Sequence, residues 1–294
     1  MKYPLLCTLL CFGCTGFFQT VQADPVLLSY NYTPINVPGS TSTTALGLNN
    51  SGQIVGSYTD ATGTHGFLDT NNAFTTLSFL PTGINNVGQI VGYSSNGVVL
   101  DTNGAITNIA APGFASPNRT GDFAPPLARI NDLGQIAGSY LNQQYNPQAF
   151  VYSNGAFTFL PISVDSTVVT KSINNAGQIL VTATFGFGNP NAYVYQNGSY
   201  DTVSQNVQRG VGINNTGEIV TAPIPAVDVF QNGALTGYFF PPYVGPYDLN
   251  DSGQLLFATV LATPATAAVP EPASVLLFAS GLAGMGLLLR RKTV

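Results

Sequence analysis

Beyond residue 14 the chain contains no cysteine. Cys7, Cys11 and Cys14 all fall within its first 14 residues. A protein that loses that segment can form no disulfide and offers no thiolate to a metal. Sheet pairing and packing must then hold the body together. Charge is nearly as scarce. Charged residues make up 7% of the sequence, against roughly a quarter in ordinary globular proteins. Gly, Asn, Ser and Thr carry the polarity instead. Such a surface suits neutral, hydrogen-bonding partners or an extracellular medium. It excludes nucleic acid, whose binding needs a basic stripe. Histidine occurs once, at His65, and between residues 24 and 269 glutamate occurs once, at Glu218. No useful stretch in that range has the 3.6-residue apolar period of a helix, and scattered prolines oppose helices further.

What the sequence has instead is a repeat. Asn49-Asn50-Ser51-Gly52-Gln53-Ile54 returns at Asn85, Asn131, Asn174, Asn214 and Asn250. The Gln/Glu position falls at residues 53, 89, 135, 178, 218 and 254, in steps of 36, 46, 43, 40 and 36 residues. Periods of that size mark repeat architectures. A short apolar run, such as Ala45-Leu46-Gly47-Leu48, leads into Asn-Asn/Asp-x-Gly, and a run of the type Gln-Ile-Val-Gly-Ser-Tyr follows. The Asn side chain can bond its own backbone ahead and Gly accepts positive φ, which predicts a three-residue hairpin with a G1 bulge. A second hairpin closes each unit, most clearly at Ala149–Leu160 around Asn154-Gly155. It recurs at Asn103-Gly104, Asn197-Gly198 and Asn232-Gly233, with Asn71-Asn72 standing in for it in the first unit.

Each unit of some 40 residues thus offers about four short strands in a meander, the content of one β-propeller blade. The expected fold class is all-β, a six-bladed propeller, with a seven-bladed ring or an open β-solenoid as alternatives. The last unit has a strand over Gln254–Val260 but no Asn-Gly hairpin after it. An orphan strand over Val26–Val37 precedes Pro38-Gly39. We expect that N-terminal strand to complete the sixth blade and protect its edge.

The two ends read as addresses. Met1-Lys2, an apolar run from Leu5 to Phe18 and Val21-Gln22-Ala23 form a secretory signal, cut between Ala23 and Asp24. A lipoprotein cut before Cys14 is the alternative. At the other end Pro270-Glu271-Pro272 precedes an apolar run from Ala273 to Leu289 and then Arg290-Arg291-Lys292. Seventeen residues at ~1.5 Å rise give about 25 Å, the lower limit for spanning a bilayer. The basic cluster after it fits the positive-inside rule. The expected divisions are a signal peptide at 1–23, the repeat domain at 24–264, and a linker and tail at 265–294 with a transmembrane helix at 273–289. Between residues 24 and 269, four basic residues stand against twelve acidic ones, a formal charge of −8. That keeps a secreted body soluble and discourages adhesion to anionic membrane surfaces.

The Pro-Glu-Pro, short apolar helix and terminal basic cluster resemble a PEP-CTERM sorting tail. The resemblance implies a membrane transpeptidase-like enzyme, exosortase, that recognises the tail and cleaves near Pro270-Glu271-Pro272. It also implies a Gram-negative host that makes extracellular polysaccharide. The protein would cross the inner membrane, stay anchored for a time, and end at the surface or outside the cell. The repeat itself resembles the extracellular HAF repeat, whose tripeptide stands here as His65-Gly66-Phe67, Gln148-Ala149-Phe150 and Asn191-Ala192-Tyr193.

Catalytic chemistry finds little footing. His65 has Gln148 and Asn191 as its counterparts in other units, and neither can act as a base. No Gly-x-Ser-x-Gly elbow supplies a nucleophile. Glu218 occupies a position that other units fill with Gln, which points to a hydrogen-bonding role. Asp122, Asp165, Asp201 and Asp228 fall in or near less regular segments, and no pattern singles out a carboxylate pair. A calcium loop wants about six to eight oxygens with several carboxylates, whereas the motif mostly carries Asn, with Asp132 and Asp251 as exceptions. We expect no cofactor, no metal and no catalytic residue. Irregular segments rich in aromatics remain, and loops carry function on repeat scaffolds. Arg119, Asp122, Phe123, Phe239, Phe240, Tyr243 and Tyr247 are therefore candidate ligand residues for an extracellular polysaccharide or a surface protein. The expected role is a binding or structural component of the extracellular matrix, with a polysaccharide hydrolase as the competing class.

Overall fold

The structure, a computed structural model, describes residues 25–94, 97–110, 112, 128–141, 147–161, 167–184, 191–203, 210–223, 226–239, 241 and 245–265. The signal and the sorting tail lie outside them. The described residues form six sheets of at least four strands each, and no helix appears among them. Blade I comprises Ser42–Leu48, Ile54–Asp60, Gly63–Thr70 and Ala73–Leu77. Blade II comprises Leu80–Ile84, Ile90–Ser94, Gly97–Thr102 and Ala105–Ile109. Blade III has Ala128–Ile130, Ile136–Leu141, Pro147–Ser153 and Ala156–Phe159. Blade IV has Thr167–Ile173, Ile179–Thr184, Asn191–Gln196 and Ser199–Thr202. Blade V has Gly210–Ile213, Glu218–Thr221, Val227–Gln231 and Ala234–Phe239. Blade VI takes Asp248–Leu249, Leu255–Phe257 and Val260–Pro264 from the end of the body and Tyr30–Pro34 from its beginning.

The ring closes. First strands of consecutive blades touch in order, and that of blade VI returns to blade I. Tyr30–Pro34 pairs antiparallel with Val260–Pro264, Tyr30 opposite Pro264 and Pro34 opposite Val260. This is the six-bladed arrangement with N-terminal closure that the repeat count implies. Two boundaries differ from expectation. The N-terminal strand is not one run over Val26–Val37. Val26–Leu27 breaks away and pairs in parallel with the outer strand of blade V, Val26 opposite Gly237. The cause is local: a Cβ at Gly237 would stand 2.8 Å from Leu28 Cδ1, so the missing side chain is what admits Leu28 there. Nor is Gln254–Val260 one strand. It turns at Ala258-Thr259, whose carbonyls accept the N–H groups of Ala45 and Ile35 at 2.7 and 2.8 Å.

The cores lie between blades. Phe67 and Ile54 of blade I meet Leu256 of blade VI, with Ile35 and Val37 packed beside them. Phe150 and Ile136 of blade III meet Val91 and Val98 of blade II. Each of the six blade interfaces has such a cluster. Near the axis the first strands approach closely, and a Cβ at Gly47 would come within 2.9 Å of Gly83 Cα.

Antiparallel pairing divides the connections between two faces. The turns from first to second strand and from third to fourth strand share one face, the turn face. The connections from second to third strand and from blade to blade share the other, the loop face. The Asn-Gly hairpins are two-residue turns on the turn face, with positive φ at both residues, for example 51° at Asn154 and 82° at Gly155. That is the type I′ geometry Asn-Gly favours.

Deleting residues 26–34 exposes the edge of Val260–Pro264 and removes Tyr30 and Tyr32 from the core between blades V and VI. Burial of one large apolar side chain is worth ~1.5–3 kcal/mol. The truncated chain should lose more than about 3 kcal/mol in urea unfolding and self-associate in sedimentation velocity.

Candidate functional site: an axial cup walled by side-chain amides

Each repeated Asn-Asn/Asp-x-Gly-Gln segment begins as a local turn. Asn49 N–H donates to the Gln53 carbonyl at 3.1 Å, Gly52 N–H donates to the Asn49 carbonyl at 3.1 Å, and Gly52 has φ 76°. The Asn49 Oδ1 accepts the N–H of Ser51 at 3.1 Å and of Gln53 at 2.9 Å. This is the bulged three-residue hairpin the sequence predicts, and its backbone bonds repeat in all six blades.

The same asparagines then do something between blades. Asn49 Nδ2 donates to the Asn85 carbonyl at 3.1 Å, Asn85 to Asn131 at 3.0 Å, and Asn131 to Asn174 at 3.0 Å. Asn174 continues to Asn214, Asn214 to Asn250 and Asn250 back to Asn49, each at 3.2 Å. The ring of six closes on itself. The second amide proton goes to the Gln side chain of the same turn, as from Asn49 to Gln53 Oε1 at 2.8 Å. In blade V Glu218 Oε2 takes that place, accepting from Asn214 at 3.0 Å. Only an acceptor is needed there, which is why Glu can replace Gln. Burial pushes Glu218 up despite the hydrogen bond from Asn214.

A second ring runs one residue later. The N–H of Asn50 donates to Asn86 Oδ1 at 2.7 Å, and the pattern passes through Asp132, Asn175, Asn215 and Asp251 before Asp251 N–H donates to Asn50 Oδ1 at 2.9 Å. The two aspartates stand three blades apart. Asp132 Oδ2 accepts the side-chain amides of Asn86 and Asn175 at 3.0 and 2.8 Å. Asp251 Oδ2 accepts those of Asn50 and Asn215 at 2.6 and 3.0 Å. Burial pushes Asp132 up, but the bonds from Asn175 and Asn86 outweigh it and hold its carboxyl below the ordinary value.

The rings wall a cup of about 60 Å³ on the axis, lined also by Arg129, Ser172 and Asp248. These three share one register, two residues before the first-ring Asn, where the other blades have Gly47, Gly83 and Gly212. Arg129 reaches from blade III to the Thr82 carbonyl of blade II and, at 3.1 Å, to the Tyr247 carbonyl before blade VI. Its Nε finds no partner among the described residues. Asp248 accepts the N–H of Leu48 and of Leu249, both at 3.0 Å. The charged atoms of Arg129 and Asp248 stand more than 4.0 Å apart. Burial pushes Asp248 up, against Arg129 and the two N–H groups, and pushes Arg129 down, against Asp248. The set can bridge water or hydroxyl groups. No group of three His, Cys, Asp or Glu able to hold a metal occurs among the described residues.

Of the anticipated ligand residues, Phe239 and Tyr247 are among the described ones, and neither is among the residues lining the cup. Arg119, Asp122, Phe123, Phe240 and Tyr243 lie outside the described residues, as do Asp165, Ala23-Asp24 and the tail residues Pro270-Glu271-Pro272 and Arg290-Arg291-Lys292. Phe239 is not a loop residue. It ends the outer strand of blade V, is 3% exposed, and packs on Tyr30 with ring centroids 4.5 Å apart. Tyr247 is half-buried and serves the site through its backbone, its N–H donating to Leu256 at 2.6 Å. Asp201 and Asp228 sit in regular strands. His65 lies in the third strand of blade I. Its Nε2 contacts Thr62 Oγ1 at 2.8 Å and Asp60 Oδ1 at 3.2 Å through the same nitrogen, so it relays nothing between them. Asp60 is held at about 2 by the side-chain and backbone hydrogen bonds of Thr62. The charges at 129 and 248 escaped sequence reasoning, although a charge in a register otherwise held by Gly and Ser was a visible signal.

Residues 268–292 match the PEP-CTERM protein-sorting motif. No curated protein matches the sequence. Among solved structures, the chain is similar to XC5397 from Xanthomonas campestris, described as a gluconolactonase. The TM-score is 0.53 at 11% identity, over 84% of this chain and 99% of that one. It also aligns with TolB from Acinetobacter baumannii, with a TM-score of 0.47 at 14% identity over 73% and 64% of the two chains. At 11% identity the first likeness shows the fold alone.

Two substitutions test the inventory. Asn131→Asp removes the donor to the Asn174 carbonyl and sets a carboxylate against Gln135 Oε1, so it should destabilise by about 1–3 kcal/mol, as an unpaired buried polar group does. Gln135→Glu, which copies blade V, should cost less than about 1 kcal/mol. Asp248 has its folded-state pKa above the unfolded value, so its contribution favours the fold at low pH and fades as pH rises through the folded value. Arg129→Met removes the cation opposing it and leaves the Thr82 and Tyr247 carbonyls without that donor, so it should cost about 1–3 kcal/mol near pH 7, less near pH ~4, where an unperturbed Asp titrates. Asp248→Asn in the same chain should restore part of the loss. Urea unfolding at both pH values reads all of these.

Proposed function

We propose that this protein is a secreted β-propeller delivered to the cell surface by an exosortase-type enzyme, and that its body binds or organises extracellular polysaccharide without catalysing a reaction. The observation that carries the reading is the PEP-CTERM motif at 268–292, which begins just past Ala265, the last described residue of a closed propeller. Such a tail marks an extracellular or surface protein. A body with net charge −8 and a surface of amides and hydroxyls suits contact with hydroxyl-rich polymers. Resemblance to the extracellular HAF repeat agrees with an extracellular address and with the fold.

The division of the faces supports binding over chemistry. At the cup the oxygens of Asp132 and Asp251 accept Asn amides and backbone N–H groups, and those of Asp248 accept two backbone N–H groups. A glycosidase needs two carboxylates free to act on one bond, about 5–9.5 Å apart. The aromatic stretches around Phe123 and Tyr243 fall in the sequence between the last strand of one blade and the first strand of the next. Stacking on sugar rings is the chemistry such residues offer.

Residues 24–269 should retain polysaccharides from the host's own matrix on a glycan array, and Phe123→Ala with Tyr243→Ala should weaken retention at least several-fold. Retention of no polysaccharide would remove the carbohydrate reading, and release of reducing ends would replace binding with hydrolysis. In the whole cell, Glu271→Ala should accumulate as unprocessed, membrane-bound chain. Unchanged release would refute the sorting assignment.

A further inference from the structure

We propose that the tail fixes which way the propeller faces while it is anchored: the turn face with its amide rings lies against the membrane, and the loop face points outward. This rests on the reading of residues 268–292 as a membrane-inserted sorting tail.

The exit point of the chain is well defined. Ala265 N–H donates to the Ser29 carbonyl at 2.9 Å, so the chain is still tied to the body at that residue. Pro264 abuts the first turn of blade VI, where a Cβ on Gly253 would lie 3.6 Å from Pro264 Cγ. Beside it Gln254 Nε2 donates to Thr263 Oγ1 at 3.2 Å. Gly253 and Gln254 belong to the ring-forming turn, so the tail departs from the turn face.

The tether is short. Between Ala265 and Ala273, where the apolar run starts, lie residues 266–272. Fully extended, eight residue steps reach at most about 29 Å. A strand of eight residues, such as Gly63–Thr70, is itself about 26 Å long at ~3.3 Å per residue. Turning the loop face to the membrane would use nearly the whole tether to run back along a blade. The opposite orientation needs no extension at all.

The turn face also fits such a neighbour away from the tether. Leu133 and Val87, 69% and 62% exposed, occupy the tips of the ring turns of blades III and II. Blade III stands across the axis from blade VI, where the tether leaves. Two apolar tips on one side and a tether on the other would lay the face flat on the headgroups. The processing enzyme then meets the Pro-Glu-Pro within that same reach, so its extracellular surface must accommodate the turn face.

Without its first 14 residues the chain has no cysteine, which makes single cysteines clean reporters. Ser51 and Ser252 are exposed on the turn face, and Ala61 is exposed between the second and third strands of blade I, on the loop face. Each would be changed to Cys in the full chain carrying Glu271→Ala, and spheroplasts would be treated with a bulky polyethylene-glycol maleimide. Ser51→Cys and Ser252→Cys should react several-fold more slowly than Ala61→Cys. The difference should vanish in detergent, and also when a flexible Gly/Ser spacer of about twenty residues follows Thr266. Equal rates, or a slower Ala61→Cys, in a chain that resists carbonate extraction would overturn the orientation while leaving the sorting reading intact. A chain extracted by carbonate would overturn both.

Discussion

One side-chain amide per blade ties each blade to the next. The first asparagine of every repeat turns its own chain through Oδ1 and reaches the neighbouring backbone through Nδ2. Both tasks fall to one residue because a primary amide has two acceptor sites and two donor protons. Aspartate could make the turn but not the bridge, and serine could not make both. The six bridges are buried, where an unmade hydrogen bond is expensive, so turn and ring stand or fall together. Apolar clusters between blades supply the bulk of the stabilisation, but apolar contact alone would not fix how far one blade rotates against the next. The ring does.

Closure extends the same logic to the chain ends. A sheet edge left open in blade VI would invite pairing with another chain. Tyr30–Pro34 fills it, and Val26–Leu27 crosses to blade V, so one short stretch of chain holds two neighbouring blades. With no cysteine to lock this clasp, its strength comes from ladder bonds and from Tyr30 and Tyr32 packed against Phe239 and Phe257. Burial beside Glu218 and Tyr32 pushes Tyr30 up to about 12, so it stays neutral under ordinary conditions.

Much of this was legible in the residues. Six turns of fixed chemistry and the Asn-Gly pairs gave blade number and strand count, because turn geometry restricts residue type tightly. The split at Leu28 was not legible, since it depends on the absence of a side chain at Gly237, far along the chain. The inter-blade ring was half visible. All six copies keep Asn in the first position while the second alternates between Asn and Asp. A turn alone would tolerate Asp in both, so the stricter position signals a donor requirement. That Arg129 and Asp248 line one cup could not be placed without knowing that blades III and VI face each other. Phe239 misled because aromatic density in a sequence does not distinguish a loop from the end of a buried strand.

The last strand of the body carries a mechanical consequence. Val260–Pro264 is not at the edge of its sheet; it lies between Leu255–Phe257 and Tyr30–Pro34. Any tension on the tail therefore pulls lengthwise on a strand gripped from both sides. Its bonds must slide together rather than unzip one after another. Shear of that kind resists a pull far better than peeling, and one of the two gripping strands is the protein's own beginning. A molecule pulled by its tail would bear part of that load on the same strand that completes its ring.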